Sequence, residues 1–121
     1  MIQKILIAII AIEHLYIMYF EMFKWETIGK KTFKTLPESL FTPTKGMAAN
    51  QGLYNGFLSA GLLWTFFIAD QVWSANIALF FLSCVIIAGI YGALTASKKI
   101  FFVQAVPAIV TLVIVIVNQF Y

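Results

Sequence analysis

Apolar residues in this chain fall into long blocks, with no sustained alternation between apolar and polar positions. The blocks cover about residues 2–22, 49–69, 73–95 and 100–118. A helix needs about 20 mostly apolar residues to cross a hydrocarbon core of roughly 30 Å, and each block meets that length. The pattern therefore predicts an all-α, integral membrane four-helix bundle, with residues 1–121 forming a single four-span domain. The links "DQVW" and "ASKK" are short, so spans two, three and four are expected to pack as antiparallel neighbours.

Composition agrees with the pattern. Of the 121 residues, 62% are hydrophobic and 11% charged, and the mean hydropathy is +0.93. A soluble domain keeps roughly a quarter of its residues charged. The first block follows Lys4 as the core of a secretory signal would, yet Glu13 and His14 interrupt it and no small-x-small cleavage site leads into a soluble domain. The first block is therefore expected to be retained as a span. Cys84, the only cysteine, has no intramolecular disulfide partner and reads as a small core residue.

Charge adds an orientation. Lys24, Lys30, Lys31, Lys34 and Lys45 lie in the first loop and Lys98 and Lys99 in the third, against Lys4 alone on the opposite side. By the positive-inside rule, the long first loop and the third face the cytoplasm, with both termini on the non-cytoplasmic side of the cell (inner) membrane. The net charge of +3 is accounted for by these topology signals and does not require a nucleic-acid partner. Trp25, Phe33, Leu36, Leu40 and Phe41 are scattered among the first-loop lysines, as in an interfacial anchor or a lid over a cavity, with "LPESLF" a helical turn.

The stretch "AIEHLYIMYFEMFKW" poses the chemical question, because it sets Glu13 beside His14 near the middle of span one. Each apolar residue there contributes roughly −0.3 to −0.6 kcal/mol to insertion, whereas an acid at the centre costs about 2.5 to 3.5 kcal/mol. Glu13 and His14 must therefore face protein or water. His14 and Glu21 are seven positions apart, which places both on one helical face, and Glu13 lies on the adjoining face with Tyr16.

Span two carries Asn50 with Tyr54 and Gln51 with Asn55 at four-residue spacing, so each pair shares a stripe. Span three offers Tyr91 near its cytoplasmic end. Span four begins with Gln104, followed by Pro107, a residue that removes a helix hydrogen bond. The opposite halves, such as "ILIAII" and "TLVIVIV", have almost nothing that titrates. Glu13, His14, Glu21, Asn50, Gln51, Tyr54, Asn55, Tyr91 and Gln104 thus converge at one depth, as the lining of a polar cavity would. Glu13 and His14 are the candidate catalytic acid/base pair, and the other seven are candidate ligand contacts.

Structural roles compete with these. Asn50, Gln51 and Asn55 also suit interhelical hydrogen bonding, worth about 0.6 kcal/mol on average, and Gly52, Gly56 and the row Ala88, Gly92, Ala96 suit close helix packing. One histidine and the absence of an H-E-x-x-H or E-x-x-H pair argue against a metal site. There is no G-x-S-x-G, phosphate loop or CxxC, and the residues name no cofactor.

The blocks "EHLYIMYFEMFKWE", "AANQGLYNGFLSAGLLW", "AGIYGALT" and "VQAVPAI" together resemble the small four-span bacterial membrane family catalogued as domain of unknown function 1304, over nearly the whole chain. That resemblance implies a membrane protein and no defined activity. More loosely, the chain is similar to the membrane-associated eicosanoid and glutathione metabolism superfamily, which implies four spans, outward termini, a long cytoplasmic loop and a trimer. That superfamily opens its second span with R-A-x-x-N-x-x-E. Here Lys45 and Asn50 match a basic residue and the asparagine, but Leu53 replaces the glutamate and no arginine is present. These departures speak against glutathione binding, and the architecture is what carries over.

Three functional expectations remain open. The first is a homo-oligomer in the lipid bilayer whose cavity binds or converts a small amphipathic or lipid-like molecule. The second is a proton-coupled exporter using Glu13, resembling small multidrug resistance transporters, although these lack a long basic first loop. The third is a structural membrane subunit.

Overall fold

The computed structural model describes residues 1–120, and these form a bundle built around four long helices: α1 (Ile2–Phe23), α2 (Lys45–Trp64), α3 (Gln71–Thr95) and α4 (Val106–Phe120). A π-helical turn over Phe101–Ala105 runs directly into α4. Three helices, Ile2–Phe23, Gln71–Thr95 and the continuous Phe101–Phe120, are long and apolar enough to cross a membrane. The sequence pattern led us to expect four such helices; α2 is not among the three. It has the length, but Asn50, Gln51, Asn55 and the glycines at 46, 52, 56 and 61 dilute its hydropathy.

The weaker helix is also the one most closely attached to its neighbour. Gly52 and Gly56 turn toward α1, where a Cβ on Gly52 would stand 2.9 Å from Glu21 Cβ and Met22 Cγ, and one on Gly56 would meet Met18 Sδ. Farther along, the Ser59 hydroxyl donates to the Ala11 carbonyl at 2.7 Å. Contacts running from Gly52 with Glu21 to Ser59 with Ala11 make the pair antiparallel. The expected close-packing role of the Gly52 and Gly56 stripe is what the geometry shows. On α3 it is Gly89, not Ala88, that shares the close approach with Gly92: Gly89 faces Ala105 and Gly92 faces Ile100, while Ala88 and Ala96 are exposed.

The core lies toward the end of the bundle where the chain starts and stops. Ile7, Ile10, Ala11, Leu62, Ala78, Leu82, Val85, Ala108 and Val115 pack together there. The outer surface is apolar as well, with Ile5, Ile9, Ile12, Phe80, Ile87 and Val113 all more than half exposed. A belt of this kind costs a soluble protein solubility, but it is what hydrocarbon surroundings demand.

Short links set the helix order. Asp70 caps α3 by accepting from the Trp73 backbone N–H at 2.9 Å, and the Ser74 hydroxyl donates to the Thr65 carbonyl at 2.9 Å. Beyond α3, the Ala96 and Ser97 amides donate to the Gly92 carbonyl at 2.8 and 3.1 Å. The π-helical turn ends two residues before Pro107, the residue whose missing N–H breaks the regular ladder. At the other end, the Asn118 side chain donates to Gln3 Oε1 at 2.9 Å, so the two described ends of the chain meet.

The first loop is folded against the bundle. Trp25 stands 5.0 Å from Phe41 and 5.5 Å from Phe33 between ring centroids, Phe33 reaches Phe20 of α1 at 6.4 Å, and Phe41 is buried. The Trp25 indole N–H donates to Thr44 Oγ1 at 3.0 Å. "LPESLF" contains a single 3-10 turn over Glu38–Leu40.

Candidate functional site

A groove of about 190 Å³ opens between α1 and the π-helical turn that leads into α4, at the loop end of the bundle. Glu13, Glu21 and Gln104 supply its deep polar groups. Tyr16, Ile17, Phe20 and Val103 supply most of the apolar wall, and Phe33 of the first loop covers it. The π-helical turn carries Gln104 into this position, and the aromatic contacts through Trp25 fix Phe33. Glu21 is buried and accepts a hydrogen bond from Asn55 Nδ2 of α2 at 2.9 Å, whereas Glu13 is half-buried and lines the groove.

Glu13, Glu21 and Gln104 are therefore brought together, with Asn55 attached through Glu21. His14 is not part of that lining. It is fully buried between the helices, its Nδ1–H donating to the Ile10 carbonyl at 2.9 Å, and its Nε2 has no hydrogen-bond partner. The acid and the imidazole adjacent in sequence thus point to different places, as a 100° step between helix neighbours dictates. Asn50 and Tyr54 lie on the outward face of α2, 3.5 Å apart and exposed, with Gln51 exposed near them. Tyr91 is 68% exposed on α3 and lies outside the groove. No group of three or more His, Cys, Asp or Glu side chains with metal-binding proximity occurs among the described residues.

Phe33, one of the first-loop residues expected as an anchor or lid, borders the groove, and with it stand Thr32, Ser97 and Lys99, which the reading of the sequence did not place in a site. Their signal was present in part, since loops one and three carry the excess of lysine and lie at one end. A second feature of that end is the ion pair between Lys45 Nζ and Glu26 Oε1 at 3.1 Å, reinforced by Thr42 Oγ1 donating to Glu26 Oε2 at 3.0 Å. The hydrogen bond from Lys45, then that from Thr42, holds the Glu26 carboxyl below its ordinary range.

Long apolar helices and an apolar outer belt define a helical membrane protein. Residues 8–116 match the family model described as Protein of unknown function (DUF1304), and the chain belongs to that family. It is 32% identical over 111 residues to Uncharacterized protein YpaA of Lactococcus lactis subsp. lactis (strain IL1403), covering 90% of this chain and 92% of that protein. No solved structure matches the chain.

Proposed function

We propose that this protein binds, and in a catalytic version of the role converts, a small amphipathic or lipid-like molecule in the groove between α1 and the turn that leads into α4. The observation that carries this reading is the company the groove keeps: Glu13, Glu21 and Gln104 line one largely apolar space with no hydrogen bond among the three. Intramembrane ionisable groups are expensive and usually functional. Glu13 is the acid/base in a converting role, because it lines the groove without a hydrogen-bond partner while Glu21 is engaged by Asn55. Excess lysine in loops one and three supports an orientation with this end in the cytoplasm and both termini outside.

Native mass spectrometry of the detergent-purified protein tests the reading. An amphipathic adduct on the wild type that is lost from Glu13→Gln and Glu21→Gln supports a binding site. A wild type without adduct, beside variants that only melt earlier, makes the cluster a structural joint.

A second element of the reading concerns assembly. Asn50, Gln51 and Tyr54 face outward from the least apolar of the four helices. Polar side chains in contact with lipid lack partners, and amides on a second copy of the same helix supply them. A homo-oligomer assembled through this stripe follows, and Asn50→Leu with Gln51→Leu is expected to shift it toward monomer.

A further inference from the structure

Directly above the groove, a second cleft of about 230 Å³ is bordered by Lys31, Lys34 and Lys99. The two spaces share Thr32, Phe33, Ser97 and Lys99, so a cleft with a basic border adjoins a groove with a largely apolar lining. The positive-inside rule accounts for the number of lysines at this end. It does not explain why two loops more than sixty residues apart in sequence, residues 31–34 and 97–99, direct three of them to one cleft. The single ion pair found among the described residues joins Lys45 to Glu26, so none of the three lysines has a carboxylate partner. Like charges gathered without a counter-charge repel, and an anion among them removes that cost. Ser97, whose Oγ accepts from the Lys99 backbone N–H at 3.4 Å, keeps a hydroxyl proton to donate where the two spaces adjoin, whereas the Thr32 hydroxyl already donates to the Ile28 carbonyl at 2.8 Å.

From this juxtaposition we infer that the molecule held in the groove has an anionic, phosphate-type or carboxylate headgroup, bound by Lys31, Lys34 and Lys99, with its apolar chain running inward past Phe33. This assignment of ligand class rests on the groove being a binding site, as proposed above. Lysine suits such a headgroup, since its ammonium acts as a mobile point charge without the fixed geometry of a guanidinium. Phe33 stands where head and chain would join, and the first loop thereby contributes to both halves of the site.

Binding of three probes to the detergent-solubilised full chain tests the inference: dodecyl phosphate, the uncharged dodecanol, and inorganic phosphate. The comparison variant is the triple substitution Lys31→Gln, Lys34→Gln and Lys99→Gln, whose exposed positions leave folding intact by circular dichroism. Lys99→Glu alone serves as a second variant with a single change. The expected result is dodecyl phosphate binding at least about tenfold tighter than dodecanol. That margin disappears in the triple variant, shrinks in Lys99→Glu, and falls as salt is raised. Equal affinity for both dodecyl probes, or a margin that survives in the triple variant, overturns the headgroup assignment and leaves the groove reading standing. Inorganic phosphate displacing dodecyl phosphate at equal concentration also overturns it, because the cleft would then be a free-anion site. Failure of both dodecyl probes to bind overturns the groove reading itself.

Discussion

Asn55 of α2 donates a hydrogen bond to Glu21 of α1 at 2.9 Å, one turn along from the point where Gly52 touches the same glutamate. The glycine gives the approach and the asparagine uses it, so a polar joint forms where two helices come closest. Removing the donor leaves a buried acid short of a partner, at a cost of about 1–3 kcal/mol. Asn55→Ala should therefore lower the thermal midpoint in detergent clearly, while Glu21→Gln, whose amide oxygen still accepts, should lower it less. Equal losses from both would show that the carboxylate charge, not the hydrogen bond, makes the joint.

The glycines of α2 are unequal. At Gly52 an added Cβ meets Glu21, Met22 and the Met18 carbonyl, whereas at Gly46 nothing lies within 4 Å. Gly52→Val is expected to cost about 1–3 kcal/mol by overpacking. Gly46→Ala removes backbone freedom near the helix start and should be neutral or stabilising by up to about 1 kcal/mol. Melting curves of the two variants measured side by side decide the matter.

His14 makes one hydrogen bond, to a carbonyl of its own helix, and is otherwise enclosed. Replacing it with leucine keeps most of the volume and should cost less than about 1.5 kcal/mol. His14→Ala opens a void and should cost about 2–4 kcal/mol. If binding of dodecyl phosphate is abolished in a stably folded His14→Leu protein, the imidazole acts on the groove and is more than packing.

Acid should loosen the first loop only at low pH. Glu26 is held below its ordinary range by Lys45 and Thr42, so it stays charged longer in the folded protein than in the unfolded chain. The contribution of this tie to folding is complete above the unfolded value, about 4.3 for a glutamate, and is lost as pH falls through the lower folded value. Trp25, followed by fluorescence in a background of Trp64→Phe and Trp73→Phe, should be unchanged between about pH 5 and 8 and shift below about pH 4. Glu26→Gln should remove that transition.

Much of this was readable from the residues. The blocks placed the helices to within a few positions: residues 73–95 were expected for α3 against the observed Gln71–Thr95, and 2–22 for α1 against Ile2–Phe23. The start of α2 was set too late because Lys45 and Gly46 read as loop, although the helix begins at Lys45.

Rotation about each axis was harder to read. Four-residue spacing groups Asn50 with Tyr54 and Gln51 with Asn55, but it does not say which stripe turns inward. The glycines do: Gly52 and Gly56 mark the contact with α1, and Asn55, beside Gly56, joins that contact while Asn50 and Tyr54 turn away. The loop residues over the groove depended on the aromatic packing of Trp25, Phe33 and Phe41, which unites positions with no shared periodicity.

Gln3 and Asn118 clasp the bundle at the end opposite the groove. A fluorescent protein or affinity handle joined beside Gln3 or Asn118 would therefore emerge on the far face, and a tether between these two positions would need to bridge only a short gap. Cutting the chain instead within the first loop, after such a tether, would place new ends beside the groove and turn its cover into a removable part.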